Sequence, residues 1–194
     1  MLRMLLSLPF YMLVLWVIKR NGNTTKASTA TYAWAIGMGI LGYYLSSLFD
    51  FIGLQYISAG IERIILFIYP TLAVLINYWV FKIPIIKRQW WAIVVTYLGI
   101  GLAYWSEINQ FQNTSLFIYG SIMVLLCGIT YAMYLVGTGK LIPQLGATQY
   151  TTVAMLSASI GIFTHYLTQE PIANVAIYLD PTNPIIIYII GLAL

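Results

Sequence analysis

Of 194 residues, nine are Lys or Arg and five are Asp or Glu, so 7% of the chain is charged, where soluble domains carry roughly 25%. Hydrophobic residues make up 61% and aromatics 15%, which leaves too little polar surface for a water-soluble fold of this size. A soluble enzyme, a nucleic-acid-binding domain and a disordered chain are excluded. The net charge of +4 comes from a few cations in short loops between apolar runs. A single cysteine, Cys127, excludes an internal disulfide and a Cys-based metal site. The expectation is an all-α integral membrane protein, a polytopic helical bundle.

A membrane-crossing helix needs about 20 apolar residues. In chain order, the runs that meet this length are 2–18, 33–54, 64–81, 90–105, 116–136 and 151–167, and a further run begins at 185. Asn21-Gly22-Asn23, Ile83-Pro84, Gly137-Thr138-Gly139 and Pro181-Thr182-Asn183-Pro184 separate runs and disfavour helix continuation. The first run is not a signal peptide, because it lacks a basic start and a small-residue cleavage site. Continuous apolar runs, rather than alternation, exclude a transmembrane β-barrel. The final run offers only ten residues and Met1 opens directly onto an apolar run, so helices are expected to be missing at both ends.

Lys19, Arg20 and Lys26 follow the first run, Lys82, Lys87 and Arg88 the third, and Lys140 the fifth. The alternate loops carry Glu62 with Arg63, then Glu107, then Glu170 with Asp180. Positive charge on cytoplasmic loops sets orientation. The basic loops are therefore expected on the cytoplasmic side of a cell membrane, inner or plasma, with Met1 outside. Trp90, Trp91, Trp105, Tyr32 and Trp34 fall at run ends, as an interfacial aromatic belt requires.

Three passages resemble the EamA-like family of the drug/metabolite transporter superfamily. Leu2-Arg3-Met4-Leu5-Leu6-Ser7-Leu8-Pro9 is similar to that family's second helix. Tyr56-Ile57-Ser58-Ala59-Gly60-Ile61-Glu62-Arg63-Ile64-Ile65, closed by Tyr69-Pro70, resembles its third-to-fourth helix junction. Tyr97-Leu98-Gly99-Ile100-Gly101-Leu102 resembles the Leu- and Gly-rich fifth helix. The resemblance implies a ten-helix fold of two inverted five-helix repeats, with both ends cytoplasmic. Residues 1–106 would then be the first repeat, its second to fifth helices. Residues 107–194 would hold the sixth, the seventh and the start of the eighth. The implied function is secondary transport, as an exporter of small metabolites such as amino acids or organic cations. The alternative is a non-transporting membrane remnant or assembly subunit. A membrane-embedded enzyme has less support, because no catalytic constellation is present.

Ionisable groups within spans are functional candidates, and Asp50 stands out. It lies about 25 Å along its helix, towards the outer side, near the level expected for Arg3, Glu62, Arg63 and His165. One reading is a vestibule in which Asp50 binds a cation or relays a proton. The other is an interfacial ion pair of Asp50 with Arg3 or Arg63, which the shallow depth favours. Asn77 is the mid-span amide hardest to satisfy, either lining a substrate path or bonding to a neighbouring helix. Tyr43, Tyr44, Tyr69, Tyr131 and Tyr134 offer a π-rich wall, or else packing and belt residues. His165 reads as an interfacial or packed histidine, not a metal ligand. Pro9 and Pro70 are expected to kink their helices. The small residues Ala35, Gly39, Gly42 and Ser46, Gly128 with Ala132, and Ala154 with Ala158 read as helix-packing stripes. No cofactor or metal is expected. The partners are the lipid bilayer, a small-molecule substrate and either a second copy or the absent helices, with no nucleic acid.

Overall fold

The computed structural model describes residues 2–20, 27–107 and 114–169. Lys26, the break at 21–23, Glu170, Asp180 and the run from 185 lie outside them, as do the side chains of Arg3, Trp105 and Glu107. The described residues form helices without strands: α1 (Leu2–Arg20), α2 (Thr29–Gly39), a π-helical turn (Ile40–Leu45), α3 (Ser46–Gly53), α4 (Ala59–Leu66), α5 (Tyr69–Phe81), α6 (Lys87–Glu107), α7 (Thr114–Leu145) and α8 (Ala147–Gln169). Three continuous stretches are long and apolar enough to cross a membrane: Thr29–Gly53, Ala59–Phe81 and Ser115–Leu145.

Local chemistry sets the boundaries. Ser28 and Ser58 cap α2 and α4, accepting from the amides of Thr31 at 3.2 Å and Ile61 at 3.3 Å. The expected third run breaks in two at Phe67 and Ile68. Pro70 has no N–H, and its ring would clash with the carbonyl of Leu66, where α4 ends. At Pro70 the expected kink takes the form of a two-residue turn in which Phe67 and Ile68 keep right-handed helical dihedrals, whereas Pro9 sits inside an uninterrupted α1. Helix α5 stops ahead of Ile83-Pro84, with Lys82 in the left-handed region at φ 52°.

One expected break is corrected. Gly137-Thr138-Gly139 does not end its helix, because α7 runs on through Pro143 to Leu145 and stops only at Gly146, whose φ is +78°. An interior glycine costs only about 1 kcal/mol, and Thr138 Oγ1 donates to the Tyr134 carbonyl at 2.8 Å. Glycine at a left-handed position just past the helix is the stronger stop.

The chain divides into two compact units: Met1–Ile40 with Lys140–Leu194, and Leu41–Gly139. In the first unit α8 packs against α2 and α1. Thr31 Oγ1 donates to Gln144 Oε1 at 3.2 Å, the Gln149 amide donates to the Tyr32 hydroxyl, and Ser157 Oγ donates to the Ile36 carbonyl at 3.2 Å. Residue numbers rise together along both helices, so α2 and α8 run in the same direction, as alternating crossings require. Ala35, Ala154 and Ala158 are 0% exposed at this contact. A Cβ added to Gly39 would lie 2.6 Å from the Ala154 Cα, which makes that glycine a condition of the approach.

In the second unit, α3 and the π turn run antiparallel to α7. A Cβ on Gly53 would come within 3.0 Å of the Gly120 carbonyl oxygen, and one on Gly42 within 2.5 Å of the Tyr134 Cβ. Ile57, Ile61 and Val124 form the buried centre, with Ile65, Leu66 and Phe117 packed against it. Helix α4 also meets α6.

Candidate functional site

Along α7, Tyr131 and Tyr134 lie one turn apart and their ring centroids are 5.8 Å from each other. Tyr43, carried by the π turn, meets Tyr134 edge-on at 4.9 Å, and the Tyr134 hydroxyl donates to the Tyr43 hydroxyl at 2.8 Å. At the other end of the row, Tyr69 from α5 meets Tyr131 edge-on at 5.3 Å. The result is a continuous row, Tyr43–Tyr134–Tyr131–Tyr69, drawn from three stretches of sequence. Gly42 permits it, because the Tyr134 side chain occupies the space a Cβ would need. A π turn widens the helix and is common at functional sites. Nothing in the composition of Ile40–Leu45 announces it.

The acidic Asp50 lies about one turn further along α7 than this row. In the antiparallel register of α3 and α7, Asp50 sits one turn from Gly53, at the level of Cys127. Glu62 feels the charge of Asp50, and both carboxylates lie within electrostatic reach of Cys127, one turn from Tyr131 on α7. Asp50 Oδ1 is buried and accepts no hydrogen bond from any described residue. The pair expected between Asp50 and Arg63 is not formed: Arg63 is exposed, and its electrostatic partner is the adjacent Glu62. Arg3 belongs to α1 in the other unit, and its side chain is outside the described residues.

Most mid-span polar groups bond within their own helix. Asn77 Nδ2 donates to the Ala73 carbonyl at 2.9 Å, which corrects the expectation that its amide could find no partner in its own span. Thr96 Oγ1 donates to the Ala92 carbonyl at 2.8 Å, and Thr130 Oγ1 to those of Leu126 and Cys127 at 3.0 and 2.9 Å. Such back-bonding satisfies a hydroxyl or an amide without a neighbour. Ser121 Oγ, on α7, is buried with no partner among the described residues. Tyr44 is half-buried beside Tyr43, and His165 is half-buried on α8 in the other unit. Tyr69 and Tyr131 are therefore in contact and Asp50 falls about one turn away along α7, whereas Asn77 donates within its own helix and His165 belongs to the other unit.

A carboxylate about one turn along α7 from a row of tyrosine rings offers two groups that a cation favours, and a ring face attracts a cation by about 0.5–2 kcal/mol according to desolvation. Among the described residues, no group of three or more His, Cys, Asp or Glu is placed to hold a metal ion.

Comparison with known proteins agrees with the resemblance read from the three sequence passages. The EamA-like transporter family matches residues 1–105. A curated Bacillus subtilis (strain 168) protein, named Uncharacterized transporter YcbK, is 28% identical over 179 residues, covering 84% of this chain and 51% of that protein. The chain thus spans about half the length of the curated relative it matches. No solved structure matches. Apolar helices long enough to span a bilayer and a family match over more than half of its length make this chain a member of the EamA-like transporter family, helical multi-pass membrane proteins.

Proposed function

We propose that the chain serves secondary transport of small metabolites, as an exporter of amino acids or organic cations, with the tyrosine row and Asp50 forming part of the substrate path. The observation that supports this most is the buried carboxylate oxygen of Asp50, without a hydrogen-bond donor among the described residues, about one turn along α7 from a row of tyrosine rings. A span does not keep an ionisable group unpaired for stability. It is suited to a ligand ammonium group or a coupling proton that comes and goes. Alternating access between two arrangements of the bundle would carry the substrate across.

The test is efflux from intact cells expressing the protein, preloaded with a panel of labelled amino acids and organic cations. Asp50→Asn is expected to abolish efflux or its pH dependence, and Tyr131→Ala to weaken it selectively for cationic substrates. PH-dependent transport left intact in Asp50→Asn removes Asp50 as a coupling residue. The orientation proposed, with basic loops in the cytoplasm of a cell membrane, is checked by cysteines placed at Lys26 and Glu107 in a Cys127→Ser background. An impermeant maleimide should label only position 107 on intact cells, and equal labelling at both positions defeats the scheme.

A further inference from the structure

The segment joining α5 to α6 is used neither by the helix packing nor by the tyrosine row. Lys82, Lys87 and Arg88 are exposed there within seven residues of sequence. None of the three forms an ion pair or side-chain hydrogen bond with a described residue. Their positions are unfavourable for the backbone that carries them. Lys82 holds the left-handed conformation at φ 52° that glycine adopts without strain at a helix end. Lys87 and Arg88 open α6, whose first turn carries no acidic residue, so their charges oppose the helix dipole instead of complementing it. Ile83, Ile86, Trp90 and Trp91 alternate with the cations along the sequence and are themselves exposed. Tryptophan favours the headgroup level of a bilayer.

We propose that residues 82–91 form a binding site for the headgroup of an anionic phospholipid. The three cations meet its phosphate, while the two indoles and the isoleucines lie against the glycerol and upper acyl region. Charge complementarity selects an anion, and each cation near an anionic leaflet adds to the attraction. The exposed apolar residues select a lipid over a free anion, because a soluble phosphate would have no contact to offer them.

Thermal unfolding of the full chain in a neutral detergent tests the site. Dioleoylphosphatidylglycerol or dioleoylphosphatidylcholine is added at equal mole fraction. A ligand that binds only the folded state raises Tm, so the anionic lipid is expected to raise it further than the zwitterionic one. The double variant Lys87→Gln/Arg88→Gln should remove about half or more of that difference, since it deletes two of the three charges. Lys82→Gly should also reduce it, while its Tm without lipid equals or exceeds that of the unmodified chain, because the left-handed turn is relieved. Loss of the lipid response then cannot be blamed on a damaged fold. Should Lys82→Gly fail to fold, the double variant at exposed positions carries the test alone. Equal Tm increments from the two lipids, or an undiminished response to the anionic lipid in the variants, overturns the proposal. So does glycerol 1-phosphate reproducing the increment, since that marks a soluble-anion site.

Discussion

In one unit, α2 and α8 meet through Ala35, Gly39, Ala154 and Ala158, and the polar group at the contact, Ser157, donates to the Ile36 and Ala154 carbonyls at 3.2 and 2.8 Å. In the other, α7 meets its neighbours through rings, and Asp50 Oδ1 and Ser121 Oγ find no partner among the described residues. Both contacts rely on a glycine: Gly39 admits backbone in the first, and Gly42 admits Tyr134 in the second. Each unit also keeps a buried serine hydroxyl without a partner among the described residues, Ser159 Oγ on α8 in the first and Ser121 Oγ on α7 in the second. Only the second adds an ionisable group, Asp50, and an unpaired carboxylate in a span is what a ligand would satisfy. Close packing of small residues gives adhesion, and by itself it offers nothing for a substrate to bind.

That contrast can be broken by substitution. The largest effect is expected at Gly39→Val, since even the first added carbon would sit 2.6 Å from the Ala154 Cα. Overpacking against backbone should cost about 3 kcal/mol or abolish folding, read as loss of cooperative unfolding in detergent. Asp50→Leu should act in the opposite direction, stabilising the protein by about 2 kcal/mol as an unpaired polar atom is replaced, while transport is lost. If Asp50→Leu is destabilising, the carboxylate has a structural partner and the contrast fails. Tyr43→Phe and Tyr134→Phe each remove one end of the 2.8 Å hydroxyl contact. Each should cost about 1 kcal/mol, and the double variant little more than either single one; a double-mutant cycle on unfolding free energies gives the coupling. The smallest effect is Gly37→Ala. No atom stands within 4 Å of the added carbon, so only helix propensity changes, a gain of up to about 1 kcal/mol. A loss at Gly37 comparable to that at Gly39 would mean that the close approach is not local to Gly39.

Much of the fold was legible because apolar runs of the right length and Ile83-Pro84 act within a few residues of where they stand. Gly39 and Gly42 were legible as close-packing positions for the same reason, since their spacing places them on one helix face. Gly137-Thr138-Gly139 was misread, because an interior glycine is a weak local preference against helix and Gly146, at a left-handed position, is the stronger stop. The break at Phe67 and Ile68 was legible only as a kink. The π turn left no compositional trace, and with it went the placement of Tyr43 on Tyr134.

At the candidate site, Asp50, Tyr69 and Tyr131 were visible as residue types in spans, but the hydrogen bonding of Asn77 and Asp50 was not. The amide satisfied itself on Ala73, and the carboxylate, expected to pair with arginine, was left without a donor. A lone sequence cannot show this, because which helix faces which is a property of non-neighbouring residues.

What the sequence determined was the class of solvent and the family. Hydrophobic content and run length are summed along the chain, and short motifs need no tertiary contact to be recognised. What only the tertiary structure decided was which polar groups are left over. Hydrogen bonding within spans depends on register between helices, and register is set by the glycines and rings at the contacts.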